Sequence, residues 1–250
     1  MSRQTGSVHP LDLWDFDDPS GSEARFREAA GRAEGMQQAV LMTQVARALG
    51  LQQEYDAAHD VLDELMPDGA PEVEARLLLE RGRIYRSSGD AGHARPFFET
   101  AATVARGAGL EELWVDALHM VALVAPPEEQ LDAQLAALAG AESATDPRAR
   151  RWRASLLNNI GMVHADAERW EEALTAFEDA RAAREATDGT PGEIGVARWM
   201  IAWALRNLGR ADEALAMQRA LKADLEARGA EDPYVDEEIA ILTSGGSAGR

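Results

Sequence analysis

The chain has 250 residues, of which 46% are hydrophobic but only 6% aromatic, a composition that favours amphipathic helices over sheets. Its formal net charge of -19 at pH 7 repels phosphate groups, so neither nucleic acid nor an anionic membrane surface is an expected partner. The sequence contains no cysteine, which excludes disulfides, thiolate metal sites and thiol nucleophiles.

The N-terminal segment, residues 1–35, is predicted to form a cap. We expect Pro19 to stop any helix before it and Ser22 to N-cap a helix from Glu23 to about Arg32. No segment reaches the roughly 18 apolar residues of a membrane span, and the N-terminus lacks the apolar stretch of a signal peptide, so we expect a soluble cytoplasmic protein. Four hydrophobic residues ahead of the predicted helix are expected to fold over the helices that follow: Leu11, Leu13, Trp14 and Phe16.

One local pattern recurs between residues 36 and 230. A bulky residue is followed four positions later by a small residue and three positions further by a second bulky one, and a turn then leads to a second helix. The clearest copy has Leu157, Gly161 and His164 in its first helix and Trp170 and Ala173 in its second. We call the residue at the small position the crossing residue. The five crossing residues, spaced by 36, 36, 43 and 41 positions, are Ala46, Gly82, Leu118, Gly161 and Ala202.

Small crossing residues indicate close packing of two helices. Antiparallel helices approach closely only where one lacks a large side chain, and bulky residues one turn away fill the flanking grooves. Repetition at this period predicts a stacked array of about five helix pairs. The third copy is irregular, because Pro126-Pro127 replaces the usual turn and its second helix is one residue out of step. A short helix over Pro233–Leu242 is predicted to follow the array, with a disordered tail from Thr243 to Arg250.

The segment from Asn158 to Ala180, NNIGMVHADAERWEEALTAFEDA, resembles the tetratricopeptide repeats of kinesin light chains and bacterial peptide-sensing regulators. More loosely, Leu11 to Pro19 (LDLWDFDDP) is similar to a segment of uncharacterised bacterial tetratricopeptide-repeat proteins. The resemblance covers about Met36 to Ala230, and it implies an all-α fold, a right-handed superhelical solenoid of antiparallel helix pairs. The expected organisation is an N-terminal cap (1–35), the repeat array (36–230) and a C-terminal cap with its tail (231–250).

Eight residues are candidates for the concave face of such a solenoid, which its first helices line. They lie two or three positions before a crossing residue, or one or four after it, about one helical face round from the packed stripe. Arginine can hold a carboxylate with two parallel bonds, and a carboxamide can donate to and accept from the main chain of an extended peptide. Two tryptophans one turn apart form a platform for a ligand side chain. The candidates are Arg47, Arg83, His119, Asn158, Asn159, Trp199, Trp203 and Arg206. The family resemblance also points to Asn159 as a peptide-binding residue.

Most of these residues also have a structural interpretation. Arg47 and Arg83 are placed where each can form an ion pair with an acidic residue of the next repeat, Glu80 and Asp116 respectively. The two tryptophans also fit a position beneath the C-terminal helix. His164 takes an inward position and is expected in the core.

The sequence predicts a binding protein. It contains no glycine-rich phosphate loop, nucleophile elbow, Ser/His/Asp arrangement or metal-ligand spacing, so we expect no catalysis, no metal and no cofactor. The predicted function is to bind another protein or an extended peptide in the concave groove, as an adaptor or regulatory module. The alternatives are a sensor whose superhelical pitch changes when a small ligand or a signalling peptide binds, and a structural protein that self-associates.

Overall fold

The computed structural model describes residues 10–187 and 189–245, and every regular element in these ranges is helical. The all-α fold predicted from the sequence is therefore confirmed. Over the same ranges, no helix combines the length and the apolar character that crossing a membrane requires. A short 3-10 helix, Pro10–Leu13, is followed by α1 Pro19–Ala30, α2 Gly35–Leu51, α3 Tyr55–Asp63, α4 Pro71–Ser87, α5 Ala91–Gly107, α6 Glu111–Val124, α7 Pro127–Ser143, α8 Pro147–Asp166, α9 Trp170–Glu185, α10 Pro191–Asn207, α11 Ala211–Ala227 and α12 Pro233–Gly245.

The helices form two compact units, residues 1–149 and residues 150–250. The first unit contains α1 to α7, and the second contains α9 to α12 and all but the first three residues of α8. Successive helices pack in pairs, α2 with α3, α4 with α5 and α6 with α7 in the first unit, and α10 with both α9 and α11 in the second. At the chain ends, α1 packs on α2 and α12 packs on α11. The division into two caps and one array stays a prediction.

Two of the crossing residues are glycines that face a phenylalanine of the second helix. A Cβ atom added to Gly82 would lie 2.5 Å from the ring of Phe98, and one added to Gly161 would lie 2.4 Å from the ring of Phe177. Both rings are completely buried. Any larger residue at these two positions would push the helices apart, which explains why the recurring pattern needs a small residue there.

The irregular third pair, α6 and α7, reverses this arrangement. Its crossing residue is Leu118, and the small residue lies on the second helix, where a Cβ added to Gly140 would meet Leu118 Cδ1 at 3.3 Å. The link between the helices is also shorter, Ala125-Pro126, whereas the other pairs are joined by three residues. In two of those three-residue links a glycine adopts positive φ, +91° at Gly89 and +77° at Gly209, a conformation that glycine adopts without strain.

The prediction for the start of α1 was wrong. The helix begins at Pro19, and its N-cap is Asp18, whose carboxylate accepts a hydrogen bond from the N–H of Gly21 at 2.9 Å. Proline is tolerated at the first helical position because the N–H that it lacks has no partner within the helix. Ser22 lies inside the first turn, completely buried, and its hydroxyl donates to the Asp15 carbonyl at 2.8 Å.

The segment ahead of α1 covers the start of the first unit through two of the four residues expected to do so. Leu13 and Trp14 pack against its core, and the Trp14 ring lies edge-on to Phe26 with ring centroids 5.0 Å apart. Leu11 and Phe16 are more than half exposed. The cap therefore depends on the single large side chain of Trp14 and its smaller neighbour.

Helix α12 is longer than the sequence suggested. It runs to Gly245, three residues beyond the predicted end at Leu242, and Thr243 Oγ1 donates to the Ile239 carbonyl at 2.8 Å within its last turns. Residues 243–245, expected to belong to a disordered tail, are thus helical. The rest of that predicted tail, residues 246–250, lies outside the described residues.

Candidate functional site

The predicted groove residues of the first unit form a connected ion-pair ladder, which comprises Arg47, Glu80, Arg83 and Asp116. Arg83 Nη2 donates to both oxygens of Asp116 at 2.6 Å, and Arg83 Nη1 donates to Glu80 Oε1 at 2.5 Å. Arg47 Nη1 lies 4.0 Å from the same Glu80 oxygen. Glu80 and Asp116 are both buried. These are the inter-repeat ion pairs that the sequence left open as an alternative to ligand binding.

Two side chains here have shifted pKa values, Asp116 in the ladder and His119 beside it. Burial raises the pKa of the Asp116 carboxyl, but the charges of Arg83 and Arg47 and the hydrogen bonds from Arg83 outweigh it, so that this pKa is lowered. Burial lowers the pKa of His119 to about 4, against the opposing effect of Asp116. His119 is therefore neutral at pH 7, and the carboxylate beside it is charged.

The N-terminal segment covers the end of the ladder. The Arg47 guanidinium carbon lies 5.5 Å from the ring centroid of Trp14 and 5.6 Å from that of Phe16, and these two rings stack on each other at 4.7 Å. The indole N–H of Trp14 donates to Gln44 Oε1 at 2.9 Å. Cation–π contact and the ladder together leave Arg47 engaged within its own chain. The sequence indicated the covering segment but not its contact with Arg47.

A surface depression of the first unit is also lined by internal ion pairs. It is a cleft of about 600 Å³ near the N-terminal ends of α2, α4 and α6. On its walls Arg76 pairs with Glu72 at 3.0 Å, and Arg148 pairs with Asp146 at 2.9 Å and lies 3.6 Å from Glu112. In the described ranges, no group of three or more His, Asp or Glu side chains could hold a metal ion.

Three of the four tryptophans of the second unit contact one another in a series on α9 and α10. Trp203 is partly buried and packs against the core, where it contacts Trp170 edge-on at 5.0 Å and Phe177 at 6.4 Å. Trp199 stacks on Trp203 with centroids 6.3 Å apart, and its indole N–H donates to the Tyr234 carbonyl of α12 at 3.4 Å. Trp199 therefore lies at the end of this series, beside the C-terminal helix.

An apolar pocket opens beside Trp199. It has a volume of about 280 Å³, and its walls are Val196, Trp199, Asp232 and Tyr234. Val196 is 60% exposed and Tyr234 68% exposed, so the pocket presents apolar side chains to solvent. Of the four wall residues, only Trp199 was predicted from the sequence. Val196 lies one turn earlier on the same face of α10, and this spacing could have predicted it as well.

Arg206 is held by the C-terminal helix. Its Nε and Nη2 atoms donate to the two carboxylate oxygens of Glu238 at 2.8 and 3.1 Å, and Glu238 is buried. Glu238 could not be predicted from the sequence, because no local pattern links it to a residue on α10. This bidentate pair holds α12 against α10.

The two asparagines lie half-buried on α8, ahead of the crossing residue Gly161. Among the described residues, no hydrogen-bond partner contacts the carboxamide of Asn158, so its donor and acceptor groups are available. His164 is also half-buried, not enclosed in the core as expected; its Nδ1 accepts a hydrogen bond from Arg169 Nε at 3.0 Å. Burial and the charge of Arg169 lower the pKa of His164.

Comparison with solved structures finds the same fold in several repeat proteins. BtubC (BKLC) from P. vanneervenii has a TM-score of 0.65 at 16% identity, with 90% of this chain and 94% of that chain covered. The quorum sensor NprR from B. thuringiensis, in its apo form, gives 0.64 at 14%, covering 92% and 64%. A Rap protein complexed with Competence and Sporulation Factor gives 0.60 at 15%, covering 90% and 69%. At these identities the likeness shows the fold alone.

Family models identify the repeats directly. Residues 152–226 and residues 75–107 each match a tetratricopeptide-repeat model. No curated protein matches the chain in sequence. The two matches cover helices α4, α5 and α8 to α11, which include both of the Gly–Phe crossings. The two matched segments are therefore tetratricopeptide repeats, in a chain whose described residues form twelve α-helices.

Proposed function

We propose that the protein binds an extended segment of another polypeptide in the groove of its second unit, as an adaptor or regulatory module. One observation carries this proposal: the apolar pocket at Trp199 leaves two large hydrophobic side chains, Val196 and Tyr234, exposed to solvent. Exposed hydrophobic side chains around a concavity are typical of protein-binding surfaces.

The chemistry of α8 supports the same conclusion. An extended peptide presents unpaired main-chain N–H and C=O groups, and each needs a partner when it is taken out of water. Asn158, half-buried on α8, offers its carboxamide for this purpose, and the family resemblance points to its neighbour Asn159. We assign them to the main chain of the ligand and Trp199 to one of its side chains.

The first unit is a weaker candidate. Its arginines already contact carboxylates, and releasing them would leave Glu80 and Asp116 buried without a counter-charge. We therefore assign Arg47 and Arg83 to the ladder and not to the ligand, and Arg206 to its pair with Glu238.

Structural relatives support a peptide ligand. The similar Rap structure was determined with Competence and Sporulation Factor, and NprR is described as a quorum sensor. A repeat fold that accommodates a ligand in those proteins makes a polypeptide partner a reasonable expectation for this chain.

The test uses the full-length chain immobilised as bait for proteins from the source organism. Wild type, Asn159→Ala and the control Asp179→Asn, an exposed residue of the second helix α9, are compared by mass spectrometry and then by affinity measurement. We expect Asn159→Ala to weaken binding of the retained protein about 5- to 150-fold, equivalent to about 1–3 kcal/mol for a polar group left unpaired. The loss should persist between 0.1 and 1 M NaCl, because amide bonds in a groove are barely screened. Equal retention by all three proteins would exclude the groove.

A further inference from the structure

We propose that this groove selects a segment in which a large apolar side chain is adjacent to an arginine or a lysine. The inference rests on the proposed function and adds to it the chemistry of the ligand. It depends on two neighbouring depressions of the second unit, the apolar pocket beside Trp199 and an acidic hollow next to it, which share Asp232 as a wall.

The apolar pocket fits one or two side chains of a larger partner. Its volume, about 280 Å³, lies below the roughly 300–1,000 Å³ of sites that enclose small-molecule ligands. One of its walls is Trp199, which stacks on Trp203, a partly buried residue packed against the core, and is therefore held in place. A rigid aromatic wall of this kind is characteristic of the residues that contribute most to binding energy.

The acidic hollow has a volume of about 90 Å³ and lies between the end of α11 and the start of α12. Four carboxylates and one ammonium group line it: Glu226, Glu231, Asp232, Asp236 and Lys222. Among the described residues, Glu226, Glu231 and Asp232 form no ion pair. One oxygen of Asp232 accepts from the N–H of Tyr234 at 3.0 Å, which leaves the other oxygen free to face a ligand.

The hollow's own lysine already pairs with one of its carboxylates. Lys222 Nζ lies 2.6 Å from Asp236 Oδ1. That hydrogen bond, and the charges of Asp236, Glu226 and Glu231, raise the pKa of Lys222. This single ammonium neutralises one of the four carboxylates, so the hollow keeps an excess of negative charge that a second cation would offset.

The shared wall sets the spacing of the two ligand groups. Because Asp232 lines both depressions, an apolar side chain in the pocket and a cation in the hollow come from neighbouring positions of one ligand chain. Arginine suits the site particularly well, since its planar group can bond two carboxylate oxygens at once while its stem covers apolar surface.

The test is a selection of random dodecapeptides, displayed on phage, against the immobilised full-length protein. Enriched peptides are then labelled and measured by fluorescence anisotropy at 0.05 and 0.5 M NaCl against Tyr234→Ala, Asp232→Asn and the control Asp179→Asn. Asparagine at position 232 keeps an oxygen for the N–H of Tyr234 and removes only the charge. Circular dichroism confirms that every variant is folded.

We expect enriched peptides to contain a large apolar residue beside arginine or lysine. Tyr234→Ala should weaken their binding about fivefold or more. Asp232→Asn should weaken it about two- to fivefold at 0.05 M NaCl and less at 0.5 M, whereas Asp179→Asn should have no effect.

Four results would overturn the inference. Enriched peptides that lack a basic residue would do so, and so would peptides whose binding is unchanged by both Tyr234→Ala and Asp232→Asn. The proposed groove would still stand if Asn159→Ala weakens the binding of these peptides. A dimer detected by light scattering and dissociated by Tyr234→Ala would assign the pocket to a second copy of the chain. Failure to enrich any peptide would exclude this ligand class, and the proposed function is then judged by the protein retained from the lysate.

Discussion

Replacing Gly161 by alanine tests the helix crossing on which the second unit is built. The new methyl carbon would lie 2.4 Å from Cε1 and 2.5 Å from Cδ1 of Phe177, whereas ordinary contact begins at 3.4 Å. The ring, or the helix that carries it, must therefore move by about 1 Å in a completely buried site. Overpacking of this kind costs about 1–3 kcal/mol.

Alanine also has a favourable effect, which a matched variant isolates. In a helix interior, alanine is more stable than glycine by about 0.5–1 kcal/mol. Gly195 lies in α10 of the same unit, and a Cβ added there would meet Leu221 Cδ1 at an ordinary 3.5 Å. Gly195→Ala should thus be stabilising, and the free energies of unfolding of the two variants should differ by about 1–3 kcal/mol.

The assay is urea unfolding of the full-length chain followed by tryptophan fluorescence. Four of the six tryptophans lie in the second unit, so the signal reports mainly on it. Adding Phe177→Leu to Gly161→Ala should recover part of the loss, because the smaller side chain makes room for the methyl group. If Gly161→Ala unfolds at the same urea concentration as Gly195→Ala, or at a higher one, the glycine is not required by the crossing.

Three further predictions concern buried polar groups. Gln218 is completely buried, and neither its side-chain nitrogen nor its side-chain oxygen has a partner in the described part of the chain. Gln218→Met should therefore raise the free energy of unfolding by about 1–3 kcal/mol. A lower urea midpoint would contradict this. Arg83→Met should lower the free energy of unfolding by about 3–5 kcal/mol, because Glu80 and Asp116 lose their shared counter-charge. Adding Asp116→Leu should restore part of the loss. If Arg83→Met is as stable as wild type, Arg83 does not belong to a stabilising network. The pKa of His119, about 4, lies below the usual 6.5, so the unfolded chain takes up the proton first as the pH falls. Stability should therefore be complete near pH 7 and fall by about 2 kcal/mol by pH 5, and His119→Gln should lose this dependence; an unchanged pH profile in the variant would assign it to other groups.

The helices and their pairing could be predicted from the sequence because their signals are local. A small residue flanked by bulky ones within one turn marks a crossing, and Gly82 and Gly161 do face the rings of Phe98 and Phe177. The third pair breaks this rule, since its small residue, Gly140, lies on the second helix. A close approach needs one small residue, and the local pattern does not decide which helix supplies it.

Capping was harder to predict. Ser22 and Asp18 are both good N-cap residues, and Pro19 is compatible with stopping a helix or with starting one. The choice depends on the surroundings: Ser22 is buried and bonded to Asp15, so α1 begins one turn earlier than the sequence suggested. Burial of a neighbouring segment thus decided between two locally acceptable starts.

The sequence by itself determined the helix pairs and their crossing positions, and the tertiary structure decided which contacts the residues beside those positions make. The direction in which a helical side chain points follows from its position relative to the crossing residue, because the helical period fixes the angle between them. Whether Arg83 meets a ligand or Asp116 depends on a contact between residues 33 positions apart, and the pocket at Trp199 depends on Tyr234, 35 positions away. Such contacts form only when helices from successive repeats stack, because their geometry is set by packing and by the rotamers that packing selects.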